Sequence, residues 1–553
     1  MTAVRALADR YLERYLPLDP FLATMLGQPG YDDRLTDFSP DGVAARAAVA
    51  RDALAELAAT PDDDDADRLC GALLRERLRA ELEAFDAEEH LRPLRIFGSP
   101  VTGIREVFDI APRDTDEDWA NVAARMAAVP EAYAQVETAL RAGMARRLLA
   151  APRQAFACAD QTATWAGLDA EAPWFAGLAA EGPESRRAEL ERGAAAATEA
   201  LVAFTRFLRE EYAPRAEGVP DAFGADRYVV EARQHLGARL DVDDAYTYGW
   251  AELERIEDDM RAVAAGILPG ASLLEVYEHL NAEGESIEGE ETLLHFLQTL
   301  MTETMDALDG THFDLSGDIR KVEAALAPPG SAAAAYYTSP SEDFSRPGQT
   351  WYPTLGRTRF PIWEDVSTWY HEGVPGHHLQ LGGWMAVGDR LSRYQRSECL
   401  SGDSEGWALY AERLMDELGF FTAPDRRMGY LAGQQLRATR VVVDIGMHCE
   451  LRIPQGQPFH PGERWTPELG LEFLHQHGGP DREFLDSEWI RYLGMPGQAI
   501  SYKLGERVWL AGRESARRQA GAAFDLKGWH TAALAQGPLG LDELARELAN
   551  KGR

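Results

Sequence analysis

Three of the chain's 13 histidines fall within one eight-residue stretch, His371-Glu372-Gly373-Val374-Pro375-Gly376-His377-His378. Zinc hydrolases hold their metal through neutral imidazoles, usually with a carboxylate, and leave one position open for water. A further carboxylate takes the water's proton, and in His-Glu-x-x-His helices it is the Glu beside the first His. His371 and Glu372 supply that opening pair, but position 375 is Pro, so the simple five-residue motif is absent. On an unbroken helix residue 377 would point roughly 240° away from 371, while 378 would return to nearly the same face about 10 Å along the axis. Pro375 removes a backbone donor and Gly376 loosens the chain, so a kink or bulge is expected to swing one of the two histidines back. His377 is favoured, because Gly376-His377 reads as the end of a His-Glu-x-Gly-His motif carrying two extra residues, and His378 stays open as the alternative. The competing reading, a helix with incidental polar histidines, leaves three imidazoles beside a Pro-Gly pair unexplained.

A third ligand must come from another element. Residues 401–413 read as an amphipathic helix opening near Glu405, with Glu412 two turns on. Glu405 is the expected ligand, and Glu412 and Glu398 are the fallbacks. Before the cluster, Trp363, Val366, Tyr370 and Val374 recur at helical spacing and Asp365 falls in the expected first turn, so His371 belongs on a helix.

Helical periodicity runs through most of the chain, notably over 43–60, 117–150, 185–213, 243–265 and 290–308, with Pro and Gly at the joints. Residues 331–361 break the pattern. Tyr336-Tyr337-Thr338 and Gln349-Thr350-Trp351-Tyr352 stand among prolines, so short strands are expected there, beside the metal helix. Such a strand can hold a peptide by backbone pairing at a sheet edge, or it can be a connector packed on the core.

The chain has 553 residues, 45% hydrophobic, enough for a large core. With 56 Lys and Arg against 91 Asp and Glu the formal charge is −35, which repels phosphate backbones and anionic lipid headgroups. Neither nucleic acid nor membrane is an expected partner, and the run Asp62 to Asp65 reads as a solvated loop rather than a calcium site. The four cysteines show no paired spacing, and the N-terminal residues carry charges too often for a signal peptide, so a cytoplasmic protein is expected. A homodimer is compatible with the composition.

The cluster resembles the signature His-Glu-x-x-Pro-Gly-His-His of the bacterial family known as domain of unknown function 885. Further stretches match it: Asp32-Asp33-Arg34-Leu35 with Asp37-Phe38-Ser39-Pro40; Glu405 through Tyr410; Arg440, Val442, Val443, Asp444, Gly446 and His448; and Arg491, Tyr492, Pro496, Gly497, Gln498, Ala499, Tyr502 and Gly505. The resemblance spans the chain and implies a single family domain, 1–553, with a helical lobe over about 1–330 and a metal-site lobe over about 331–553. The family is in turn similar to thermophile-type zinc carboxypeptidases and to thimet and angiotensin-converting peptidases. That similarity implies a mainly α fold: a large elongated helical body with a deep central cleft and a small β element beside the metal helix. It also implies one zinc ion per chain and short peptides as substrates, cleaved in carboxypeptidase or dipeptidase fashion.

On these grounds the metal ligands are expected among His371, His377, His378 and Glu405, with Glu372 activating water. Tyr502, Tyr492 and His448 are the groups available to stabilise an oxyanion, and Asp444, four residues before His448, would share its helix face and orient it or a metal-bound histidine. Arg491, with Tyr492 beside it, or Lys503 would pair with a substrate carboxylate. Each of these also has a plain reading as a buried hydrogen-bonder or an internal salt bridge. Two rival functions remain: a zinc hydrolase of a non-peptide amide, and a non-catalytic peptide-binding protein that has lost its metal. No Gly-x-Ser-x-Gly elbow and no phosphate-binding loop is present.

Overall fold

Helices form where the periodicity places them. The expected stretches become Pro40–Ala59, Asp116–Arg146, Arg187–Phe207, Val242–Ile267 and Glu290–Leu308. Three of them start on a side-chain cap: Ser39 accepts from Gly42 N–H, Thr115 from Asp118 N–H and Asp241 from Asp244 N–H. The computed structural model of the protein describes residues 2–169, 172–315, 317–327, 334–342 and 344–551. Helix accounts for 68% and strand for 4%, so the fold is mainly α with two small sheets.

The strands fall in and around the aromatic, Pro-punctuated stretch. β1 (Ser286–Glu288) pairs antiparallel with β5 (Arg359–Pro361). β2 (Val322–Leu326) runs parallel to β4 (Gly348–Tyr352), and β3 (Tyr336–Thr338) lies antiparallel on the other side of β4. β3 is therefore an edge strand. Residues 331–333 and 343 of the region read as extended lie outside the described residues.

The apolar core does not divide near residue 330. One cluster joins Val4, Leu7 and Leu74 to Trp250, Trp363, Trp407, Trp509 and Leu548, so the two ends of the chain share a core. A second cluster gathers residues 94–216, with the helices Asp116–Arg146 and Arg187–Phe207 packed against each other. Among the described residues no helix is long and apolar enough to cross a membrane.

Four helices converge in the large core and carry the chemistry. They are Asp365–Glu372, Ser401–Glu417, Pro424–His448 and Ser501–Ala520. The second and fourth cross at glycines: a Cβ on Gly406 would lie 2.5 Å from Gly505 Cα, and one on Gly505 would lie 2.1 Å from Gly402 O. Only hydrogen at both positions lets the backbones approach so closely. That contact brings Glu405 and Tyr502 to one side of the same crossing.

Candidate metal centre

The helix bearing His371 ends at Glu372, and the next four residues bulge out before the chain turns helical again at His377. Gly376 N–H donates to Tyr370 O and His378 N–H to Gly373 O, each at 3.0 Å, so the bulge is tied back to the helix it interrupts. The loop has no room for a side chain at Gly376, where a Cβ would sit 1.9 Å from His371 O. Trp407, two residues after Glu405, donates its indole N–H to Pro375 O and Gly376 O at 2.9 and 3.1 Å. The bulge folds His377 back on His371, with ring centroids 4.8 Å apart and planes nearly perpendicular.

Among the described residues one group of acidic, histidine or cysteine side chains has the geometry to hold a metal: His371, His377 and Glu405, whose ligating atoms lie within 4.8 Å of one another. Glu405 Oε2 stands 3.2 Å from His371 Nε2 and 3.4 Å from His377 Nε2. A tetrahedral zinc with bonds of about 2.1 Å has ligand–ligand edges of about 3.4 Å, which the two edges to Glu405 match. Hydrogen bonds to Glu405 and Glu412 outweigh burial and push His371 up to about 10; the same bonds from His371 and His377 outweigh burial to hold the Glu405 carboxyl far below its usual range. A proton thus bridges imidazole and carboxylate where a cation would sit, and metal binding must displace it.

The supporting shell is built too. Glu412, buried one helix face over, accepts from His371 Nδ1–H at 2.7 Å and from Ser367 Oγ–H at 2.6 Å. Its carboxyl is held low, His371 and Arg437 more than offsetting burial. This carboxylate–histidine arrangement keeps a proton on Nδ1, so that Nε2, facing Glu405, is the nitrogen that would give its lone pair to a cation taking the bridging proton's place. Glu412, expected as a fallback ligand, instead holds the ring of the candidate ligand His371. Glu398, the other fallback, lies beside Tyr394 and Arg77 instead.

These groups line a cavity of about 570 Å³. Glu372 faces it, makes no hydrogen bond among the described residues, and burial holds its carboxyl above the usual range against the nearby histidines. Tyr502 stacks at 6.3 Å from His371, and its hydroxyl also lacks a hydrogen-bond partner among the described residues. Burial, reinforced by the Glu405 charge, pushes that hydroxyl up to about 12, so it stays a donor. The β3 side contributes Ala334, Ala335, Tyr336 and Tyr337 to the lining.

Other expected residues are placed elsewhere. His378 is fully buried and both its nitrogens are used: Nε2–H donates to Ile319 O at 2.7 Å, which leaves Nδ1 to accept from Tyr337 Oη–H at 2.9 Å. It anchors the sheet and is not in the ligand group. His448 is buried between Phe223 and Tyr228, donating Nε2–H to Tyr492 O at 3.0 Å, away from the cavity. Asp444 accepts from Tyr228 Oη–H at 2.6 Å and Gly497 N–H at 2.9 Å through Oδ2, its Oδ1 stands 3.8 Å from His448 Nε2, and it has no bond to the candidate ligands. Arg491 forks onto Glu488, with a further bond to Gln498, and Tyr492 is held between Arg440 and Glu488. Lys503 is buried among Glu252, Gln434 and Glu506. All are internal ties, the plain reading that each already had.

Of two further cavity arginines, Arg437 went unnoticed in the sequence and Arg440 was noted only as part of the family resemblance. Arg437 and Arg440 line the cavity from the helix Pro424–His448, 5.8 and 5.1 Å from the Tyr502 ring. The signal was Gly429, Gly433, Arg437 and Arg440 at spacings of four, four and three, which puts two absent side chains and two cations on one helix face.

A helical body enclosing a two-histidine, one-carboxylate group with an outer carboxylate on one imidazole defines a protein with a built candidate metal centre. The chain belongs to the family described as bacterial proteins of unknown function, DUF885, whose model matches residues 20–548. Two solved structures share the fold. A crystal structure described as "the putative lipoprotein from Colwellia psychrerythraea" is 21% identical, covers 99% of this chain and 98% of its own, and superposes with a TM-score of 0.85. A "putative lipoprotein of unknown function from Shewanella oneidensis" is 16% identical, covering 99% and 100%, at a TM-score of 0.75. A search of curated proteins finds no match.

Proposed function

We propose that the chain is a zinc-dependent peptidase acting on short peptides, with His371, His377 and Glu405 as ligands. The observation that carries the reading is the convergence of those three ligating atoms within 4.8 Å beside a carboxylate, Glu372, that makes no hydrogen bond among the described residues. The signature's likeness to that of zinc carboxypeptidases and thimet-type peptidases points the same way. Zinc in such a site supplies the positive charge that makes a water acidic and polarises a carbonyl. Glu372 then accepts a proton from the attacking water as its oxygen adds to the scissile carbon, and passes that proton to the departing nitrogen as the C–N bond breaks. Tyr502 donates its hydroxyl proton in a hydrogen bond to the oxygen that gains negative charge. The cavity volume lies in the range of small-ligand sites, which admits a few residues of extended chain and not a folded protein. Edge strand β3 lies along the lining, where an extended peptide can pair with it.

The test is metal content and hydrolysis together. Protein purified without chelators or a His tag should hold about one zinc per chain, lost in His371→Ala and His377→Ala. Zinc-loaded wild type should cleave members of a short-peptide library, followed by mass spectrometry, while Glu372→Gln keeps its zinc and loses hydrolysis by at least about a hundredfold. A zinc-bound wild type that leaves every peptide intact sinks the peptidase reading.

A further inference from the structure

The cavity's charges are unevenly matched. Its carboxylates include Glu364, Asp365, Glu372, Glu405 and Glu412, and its cations are Arg357, Arg437 and Arg440. Arg440 is committed, paired with Glu488 at 3.0 Å and bonded to the Tyr492 hydroxyl. Arg357 lies exposed on the loop before β5, bonded to Thr354 O. Arg437 differs from both. Its Nη1 donates to Gly433 O, one turn back on its own helix, at 3.2 Å, and its Nε is buried with no hydrogen-bond partner. Among the described residues no carboxylate lies within 4.0 Å of it, in a protein where acids outnumber bases 91 to 56. An arginine that feels the Glu412 charge but has no carboxylate in contact can still take an anion on its free edge.

Its position is also fixed with respect to the metal centre. A Cβ on Gly433 would lie 2.8 Å from Arg437 Nη1 and 3.7 Å from Glu412 Oε2, so the bare glycine lets the guanidinium reach past its own helix towards the carboxylate that holds His371. Tyr502 stands between, its ring 5.8 Å from the Arg437 guanidinium and 6.3 Å from the His371 ring. The Arg437 guanidinium and the His371 ring thus both lie beside the Tyr502 ring and line one cavity, so an anion at Arg437 and a carbonyl at His371, His377 and Glu405 share the same space. The Nε–Nη2 edge carries no acceptor, and that edge has the fork geometry which a carboxylate meets with both oxygens.

We propose that Arg437 receives the free α-carboxylate of the substrate, so that the bond cut is the last one of the peptide and the substrates are dipeptides or chains shortened from the C-terminus. The assignment rests on the peptidase reading for its chemistry but not for its binding. Residues beyond the cleaved bond then number one, and peptides blocked at the C-terminus are poor ligands.

The experiment compares one N-acetylated tripeptide of alanine as free acid and as C-terminal amide, in wild type, Arg437→Gln and Arg437→Lys. Hydrolysis is read with zinc-loaded protein, and binding by calorimetry in the Glu372→Gln background; zinc content is measured for every variant. The free acid should be preferred by roughly tenfold to a hundredfold in the wild type, the worth of hydrogen bonds to a charged group. Arg437→Gln should level the two ligands with zinc retained, and Arg437→Lys should restore part of the preference. Equal handling of acid and amide by wild type, or an undiminished preference in Arg437→Gln, overturns the proposal. If no peptide is cleaved, the peptidase reading falls and the calorimetric preference alone decides the role of Arg437.

Discussion

Removing Glu412 should loosen metal without touching a ligand. Its two oxygens hold His371 Nδ1–H at 2.7 Å and Ser367 Oγ–H at 2.6 Å in a buried setting, which fixes both the ring's tautomer and its angle. With alanine there the imidazole is free to carry its proton on Nε2, the atom that faces Glu405, and the ring can rotate into the vacated space. Loss of such an outer partner costs about 10- to 100-fold in metal affinity, or about 1.4 to 2.8 kcal/mol. Glutamine should cost less: its amide oxygen still accepts from His371, and Ser367 can turn its hydroxyl to accept from the amide nitrogen. The assay is competition for zinc against a chromophoric chelator, with melting of the zinc-free protein as the check on folding. A zinc affinity within about twofold of wild type in a folded Glu412→Ala protein would refute the reasoning. Should that variant fail to fold, a Glu412→Gln protein weaker than wild type and still cooperative in melting carries the same argument.

His378→Ala should keep its zinc and lose stability, since Ile319 O is left buried and unpaired at about 1–3 kcal/mol; zinc loss at unchanged melting temperature would place His378 among the ligands instead. Asp444 supplies a pH signature. Burial pushes its carboxyl up to about 7, so the native state keeps a proton that the unfolded chain releases near pH 4, and this contribution is full at low pH and lost as pH rises through 7. His448, driven down to about 4 by burial, acts oppositely, its contribution being lost as pH falls below the unfolded value. Asp444→Asn removes only the first, so its melting temperature relative to wild type should improve from about pH 5 to about pH 8; a constant difference would show that Asp444 does not titrate in this window.

Much of the scaffold was legible because helix periodicity reports burial directly. The break at 331–361 was legible for the converse reason: β-favouring aromatics between prolines cannot sustain a helix, and β3, β4 and β5 fall there. Residue type and spacing placed His371, Glu372, His377, Glu405 and Tyr502 around one cavity. They could not separate His377 from His378, because adjacent side chains part company only through backbone angles in a bulge no periodicity describes. His448, Arg491, Tyr492 and Lys503 show the opposite failure: motif residues that sit in the core as internal partners look, in sequence, like residues that meet a substrate. Arg437 was invisible because its meaning lies in what it lacks, an acid partner, and that is a property of three-dimensional neighbours.

The two residues that lengthen the histidine motif are best understood with the second ligand helix, not alone. Pro375 and Gly376 open a bulge whose carbonyls point inward, and those carbonyls are met by Trp407 on the helix that bears Glu405. An unpaired buried carbonyl is costly, so the bulge persists only where that indole is supplied. The indole sits two residues from the ligand carboxylate, so seating the bulge also sets Glu405 against His371 and His377. Gly376 completes the coupling, because any side chain there would strike His371 O and push the bulge away from the indole. The signature's Pro-Gly and the Trp after Glu405 therefore act as one joint, and the expanded motif holds His377 near His371 and Glu405 by borrowing its rigidity from the neighbouring helix.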